Sequence, residues 1–348
     1  MKTDDWESWQ WQLSNSIRNL EDLKKELNLL EEEKIENVST LPILSLRITP
    51  YYLDLIKKNP ILRRTVVPTK YEFDVSENES TDPLDEDKYK HGCIVHKHEN
   101  RCLFLTTIQC ASYCRYCTRS RLVGGIKNYI KKDWDDGIKY INEHSEIVDV
   151  LFSGGDFFML SNSNIAYLLN KLNKISHINI LRIGTKMPVF LPQRIDNELI
   201  NILKKYKPFI NIHVSHSSEI TDEFIEVCNK LSVDANCILG SQTVLLKNIN
   251  DDTKILQELF NKLLKNRIVP YYLYQMDRIT GGEHFRIDLE KMIEIMHQLI
   301  SWNSGRVIPE FVVDSEIGKV PLRYGYIEKN NNGKYNLTSF EKNKTIEY

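Results

Sequence analysis

The chain has 348 residues, 41% of them hydrophobic, and a formal charge of -2; this suffices to bury one large domain or two small ones and is too nearly neutral for a nucleic-acid-binding protein. No apolar run reaches the roughly 18 residues that span a bilayer, and the N-terminus Met1-Lys2-Thr3-Asp4-Asp5-Trp6-Glu7 lacks the apolar stretch of a secretory signal, which points to the cytoplasm and to no membrane partner. Seven cysteines, an odd count with three of them in one short run, speak against a secreted disulfide framework.

In chain order, Trp6, Trp9, Leu13, Ile17, Leu20 and Leu23 recur at helical spacing in a charged background, which predicts amphipathic helices packed on something else, up to about Lys34. The stretch that follows is expected to be irregular, and the acidic segment 76–90 predicts an exposed loop. From Cys102 onward apolar runs of strand length alternate with helix-like segments. The runs 102–108, 148–152, 178–184, 209–214, 235–240, 269–275 and 311–313 predict strands, and 164–172, 196–205, 222–231, 253–265 and 289–300 predict helices, several after a Ser, Asp or Thr cap. That alternation predicts an α/β fold of parallel βα units, a complete or partial βα barrel carrying an N-terminal helical extension, with a doubly wound open sheet as the second architecture. The expected division is 1–95 for the helical and irregular region, 96–323 for the barrel and 324–348 for a short tail. In that tail Asn330-Asn331-Asn332-Gly333 predicts the turn of a hairpin.

Just past the first barrel strand stands Cys110-Ala111-Ser112-Tyr113-Cys114-Arg115-Tyr116-Cys117. Four thiolates close a 4Fe-4S cluster or a zinc site, whereas three leave one iron open to a small molecule that chelates through nitrogen and oxygen, as the amino and carboxylate groups of S-adenosylmethionine do. A noncatalytic metal module with His91 or His96 as fourth ligand is the alternative. The remaining cysteines, Cys93, Cys102, Cys228 and Cys237, are scattered and read as small apolar residues. After the second strand, Gly154 and Gly155 let backbone approach a ligand closely, and with Asp156 they form a place where a methionine-type amino group can be held. In a βα barrel the chemistry gathers at the C-terminal strand ends, where these clusters lie.

With these residues in hand the chain resembles the radical S-adenosylmethionine superfamily and, within it, the lysine 2,3-aminomutase family. The likeness runs through Trp9-Gln10-Trp11-Gln12, Thr49-Pro50-Tyr51-Tyr52, Ser153-Gly154-Gly155-Asp156, Leu191-Pro192-Gln193-Arg194, Gln242-Thr243-Val244-Leu245-Leu246, Tyr271-Tyr272-Leu273-Tyr274-Gln275, Glu283-His284-Phe285-Arg286 and Phe311-Val312-Val313-Asp314. It implies an isomerase that moves an amino group by a 5′-deoxyadenosyl radical, with a 4Fe-4S cluster, S-adenosylmethionine and pyridoxal 5′-phosphate. An electron-donor protein such as flavodoxin or ferredoxin is implied as partner, and a homo-oligomer is possible.

The resemblance places Cys110, Cys114 and Cys117 on the cluster, and Tyr116, Gly154, Gly155, Asp156 and Gln242 against S-adenosylmethionine. It makes Lys319 the lysine that holds the pyridoxal aldehyde, with Arg101 and Lys97 as phosphate partners, and Arg119 the ligand of the substrate carboxylate. Asp277 and Asp314 stand where lysine-using members hold the distal ammonium. Two such carboxylates need a cation between them, so L-lysine becoming L-β-lysine is the expected reaction, with arginine or ornithine as rival substrates; the bland reading makes both aspartates helix caps. His213 and His216 are either cavity residues or structural ones. Supply of β-lysine to a protein, or modification of a lysine-bearing protein, is a further reading.

Three departures mark the chain. The loop Ser315-Glu316-Ile317-Gly318 before Lys319 is shorter and poorer in glycine than the family's, His98 replaces a tyrosine, and Asp252 takes the place of a zinc-ligating cysteine. The first two leave open a radical enzyme without pyridoxal phosphate; the third predicts no structural zinc.

Overall fold

In the computed structural model, which describes residues 4–36, 44–323, 325–339 and 342–348, ten strands form one sheet in chain order. They are β1 (Lys90–His91), β2 (Ile94–His98), β3 (Arg101–Thr107), β4 (Asp149–Gly154), β5 (Ile180–Thr185), β6 (Phe209–His213), β7 (Leu239–Leu245), β8 (Ile268–Gln275), β9 (Glu310–Ser315) and β10 (Gly318–Pro321). Strands β3 to β9 run parallel, each reached by a crossover, while β1 and β2 at one edge and β10 at the other are antiparallel. The two edges approach without pairing. Lys97 on β2 donates from Nζ to the carbonyl oxygen of Ser315 on β9 at 3.0 Å, so the sheet is a partial barrel with an open seam.

Helices cover the outer face, as right-handed crossovers require. They are preceded by α1 (Trp9–Ser14), α2 (Leu20–Glu26) and α3 (Pro50–Lys58), and comprise α4 (Lys131–Glu143), α5 (Asn162–Leu172), α6 (Met187–Phe190), α7 (Asn197–Tyr206), α8 (Asp222–Asn229), α9 (Thr253–Lys265) and α10 (Leu289–Trp302). Strand alternation decides which side chains meet them. On β7, Leu239 and Leu245 enter the core between sheet and helices with Leu256 and Phe260 of α9, whereas Gln242 and Val244 face inward. Side-chain caps start the helices. Asp196 accepts from Leu199 N, Thr221 from Phe224 N, and Asp252 from Lys254 N at 2.8 Å; the last is thus a helix cap.

Several expectations are corrected. The strand expected at 235–240 begins only at Leu239, because the chain after α8 widens into a π turn over Lys230–Asp234 and Asn236 then takes φ 55°. Helix α4 was hidden by its charge and internal Gly137, but Trp134, Gly137 and Ile141 share one buried face. A Cβ on Gly137 would stand 2.7 Å from Cys93 Sγ, so helix and strand approach closely there. The N-terminal pattern is broken between α1 and α2, where Ile17 bridges Ile48.

The segment 76–90 is docked rather than wholly exposed. Ser80 bridges Ile279, and Glu79 accepts from the amides of Gly281 and Gly282, each at 3.0 Å. The tail forms a three-stranded sheet of β11 (Ile327–Lys329), β12 (Tyr335–Thr338) and β13 (Thr345–Glu347) in place of a lone hairpin. Residues from α2 and α3 join the same apolar core as the barrel strands, as do the four scattered cysteines.

Candidate active site

The loop after β3 carries the three cysteines, and the N-terminal region grips it from outside. Tyr113 N donates to Arg47 O and Arg115 N to Thr65 O, each at 2.9 Å. The fully buried Arg115 guanidinium donates to Glu72 and to the carbonyls of Leu44 and Ser45. Cys114 and Cys117 stand near enough to Cys110 for their charges to act on its thiol.

Burial raises the pKa of all three thiols, and Cys110 also feels the charges of Asp156 and of the other two cysteines. Burial keeps such thiols protonated, and they become ligands only where a bound cation stabilises their thiolates, as the irons of an iron–sulfur cluster would. Among the described residues no three His, Cys, Asp or Glu side chains stand close enough to share a single metal ion. The alternative fourth ligands are elsewhere. His96 engages the Tyr140 hydroxyl through Nδ1 and the Glu99 carbonyl through Nε2, each at 3.1 Å, and His91 stacks on Tyr140 at 4.8 Å.

Gly154 and Gly155 fix the stem of that loop. Gly154 has φ 113°, Gly155 N donates to Thr107 O at 2.6 Å, and Asp156 N donates to Gln109 O at 2.7 Å. A Cβ on Gly155 would stand 2.2 Å from Gln109 O. The close approach that these glycines allow is therefore to the cysteine loop itself. Asp156 is likewise engaged within the protein: its carboxylate accepts from Thr185 Oγ1 and from the amides of Phe158 and Lys186, tying the ends of β4 and β5 together. Beside the cysteines, Tyr116 donates or accepts at Ser215 Oγ over 2.7 Å and packs edge-on against Phe285 within an apolar cluster of Leu246, Ile249, Met276 and Ile279. Gln242 faces inward next to His213, its neighbour across the ladder. Burial holds His213 near pKa 4, with Lys186 and Arg119 adding to the effect. His216 accepts from Ser218 N through Nδ1, a structural role.

The remaining expected residues lie at C-terminal strand ends as well, Arg119 after β3, Asp277 after β8 and Asp314 near the end of β9. Arg119 gives Nε and Nη2 to both oxygens of buried Glu86, at 2.9 and 2.6 Å, and Nη1 to Ser153 Oγ at 3.1 Å. Its two-pronged edge is thus already taken, which leaves the Nη1 edge beside Ser153. Asp277 accepts from Thr118 Oγ1, while its Oδ1 is buried without a hydrogen-bond partner among the described residues. Burial first, then the nearby charge of Asp314, raise its pKa to about 7.

Asp314 and Lys319 owe their contact to the shortened loop. A two-residue turn at Glu316 and Ile317 pairs Ser315 with Gly318, which has φ 99°, and so sets Lys319 directly across the ladder from Asp314. Lys319 Nζ donates to Asp314 Oδ2 at 2.7 Å and to Tyr274 OH at 3.0 Å, and lies 4.2 Å from the Tyr274 ring centre. These partners raise the Lys319 pKa above its ordinary value against the effect of burial. Helix capping by Asp277 or Asp314 is not seen.

Lys319 forms one wall of a cavity of about 410 Å³ in the barrel seam. Lys97, His98 and Arg101 face it from β2 and β3, Tyr272 from β8, and Tyr326, Ser339, Asn343 and Lys344 from the tail. An amine on one side, an aromatic wall and an excess of cations suit an aldehyde-bearing pyridine phosphate, so the residues present fit pyridoxal phosphate. Lys97 is partly spent, since Nζ donates to Leu84 O at 2.7 Å as well as to Ser315 O. Burial and the cations Arg101 and Lys97 hold His98 near pKa 4. Glu86 and Thr118 lie outside every segment that carries the resemblance, while Ser153, Tyr272 and Tyr274 stand within such segments without being given a role there; the tyrosines lie on a strand that the ladder shows to be bulged between Pro270 and Tyr272.

Residues 104–253 match the family described as the radical SAM superfamily. Over 346 residues the chain is 41% identical to an L-lysine 2,3-aminomutase of Clostridium subterminale, covering 97% of this chain and 83% of that one. It is 42% identical to the L-lysine 2,3-aminomutase of Bacillus subtilis over 97% of this chain and 73% of that one. A glutamate 2,3-aminomutase of Clostridioides difficile is 38% identical over 93% of this chain and 78% of its own.

Proposed function

Because the chain belongs to the lysine 2,3-aminomutase family of the radical SAM superfamily, we propose that it moves the α-amino group of a basic amino acid to the β-carbon, L-lysine giving L-β-lysine. When bound, the cluster with S-adenosylmethionine supplies the radical that takes a β-hydrogen, and pyridoxal phosphate supplies the carrier for the migrating nitrogen. Cys110, Cys114 and Cys117 hold the cluster, which a small electron-donor protein such as flavodoxin or ferredoxin reduces. The Nη1 edge of Arg119 with Ser153 orients the substrate carboxylate, and Lys319 holds the cofactor aldehyde.

The observation that carries the substrate class is the pair Asp277 and Asp314. At rest Asp314 is neutralised by Lys319, and Asp277 keeps a buried oxygen without a partner. When Lys319 turns to the cofactor, both carboxylates need a new cation, and the distal ammonium of lysine provides it. Glutamate would bring another negative charge to the same place. Arginine and ornithine are cations of the same class and rank next. One observation favours a second reading, a family member without pyridoxal phosphate: Asp314 and Tyr274 already occupy Lys319.

The test is a substrate panel with anaerobically reconstituted enzyme, reductant, S-adenosylmethionine and pyridoxal phosphate. β-Amino acid is expected from lysine and not from glutamate. Turnover of glutamate above the basic substrates would remove the assignment, and turnover unaffected by omitting pyridoxal phosphate would select the second reading.

A further inference from the structure

Five cations face the seam cavity, Lys97, Arg101, Lys319, Arg323 and Lys344, against the two carboxylates Glu310 and Glu316. Three of the five are committed: Lys97 to the backbone carbonyls of Leu84 and Ser315, Lys319 to Asp314, and Arg323 to Glu310 at 2.7 Å. Arg101 and Lys344 have no ion-pair partner among the described residues. They come from opposite banks of the seam, Arg101 from the start of β3 and Lys344 from the turn before β13.

That turn is built. Ser339 N donates to Lys344 O at 2.8 Å, Lys344 N donates to Ser339 Oγ at 3.2 Å, and Ser339 Oγ donates to Asn343 Oδ1 at 2.9 Å. The buried Ser339 thereby fixes the backbone of Lys344 at the cavity. A phosphate monoester carries a charge of about -2 near neutral pH and seeks charge-assisted donors on more than one side.

We propose that Lys344, supplied by the tail sheet, is a phosphate ligand of the cofactor pocket and closes the barrel seam over the phosphate together with Arg101. The assignment rests on the pyridoxal phosphate reading above. It gives the tail a role in cofactor retention, and it explains how the pocket keeps its charge although Lys97 is turned to backbone carbonyls.

The experiment titrates the full chain with pyridoxal phosphate and with pyridoxal, which has the same ring and aldehyde but no phosphate, following the visible pyridoxal absorbance. K344A is expected to weaken pyridoxal phosphate binding about tenfold or more, the loss of one charge-assisted bond, and to leave pyridoxal binding unchanged. K344R should restore most of the affinity. K342A, whose ammonium instead lies over the Tyr326 ring, should bind like the parent. Unchanged affinity of K344A for pyridoxal phosphate, or equal weakening for both compounds, would overturn the role of Lys344 while leaving the cofactor reading in place. A parent chain that binds pyridoxal phosphate no better than K319A does would overturn both.

Discussion

Asp277 is held away from the ordinary carboxylate range by burial and by Asp314. A carboxyl with a folded-state pKa raised to about 7 binds more protons in the native chain than in the unfolded one from the ordinary carboxylate range upward. Stability therefore falls as pH rises through that window, and the full penalty is present above it. D277N removes the titration and keeps an acceptor for Thr118. In thermal melts without substrate it should gain stability over the parent at about pH 8 and show little gain at about pH 4. Parallel melting curves for the two chains across that range would contradict the burial argument. The neighbouring Asp314 behaves oppositely because Lys319 lowers its pKa against burial, so the two carboxylates of one site are driven apart by which of them holds the lysine.

At the scale of elements, the cysteine loop is positioned by two supports of different kinds, the Gly-Gly end of β4 beneath it and the N-terminal region around it. Gly155 is the sharper test, because any side chain must displace the backbone of Gln109, which precedes Cys110. G155A should reduce iron bound per chain after reconstitution to a small fraction of the parent, while far-ultraviolet circular dichroism shows the fold retained. Full iron loading would show that the loop can shift without losing its ligands. The cysteine loop with its glycine support was legible because it is local, three cysteines in eight residues and a glycine pair after an apolar run, whereas Lys319 was reached only through the family resemblance. The residues that complete the site were not legible. Glu86 reaches Arg119 and Thr118 reaches Asp277 across 33 and 159 positions of sequence, and no periodicity or cap marks such pairs. The strand expected at 235–240 starts late for a related reason, since Ala235 and Cys237 are buried next to a π turn rather than in a ladder.

At the scale of the whole molecule, the partial barrel joins three parts of the chain around one reaction space. The N-terminal region braces the cluster loop through buried Arg115 and Glu72, each at most 1% exposed. The β3 to β9 strands present Arg119, Asp277 and Asp314 at their C-terminal ends, and the tail sheet faces the open seam at Lys319. The parallel βα order was visible in the alternation of apolar runs, and the open seam was not, because it depends on how far β2 and β10 curl toward each other. A radical shift in this space must keep the migrating nitrogen within the same molecule. The direct measurement is nuclear magnetic resonance of the product from L-lysine labelled with nitrogen-15 at the α-amino group, incubated with the anaerobic, reduced and fully loaded enzyme. The expected result is β-lysine with the label on C3. Formation of 5′-deoxyadenosine without labelled β-lysine would contradict it.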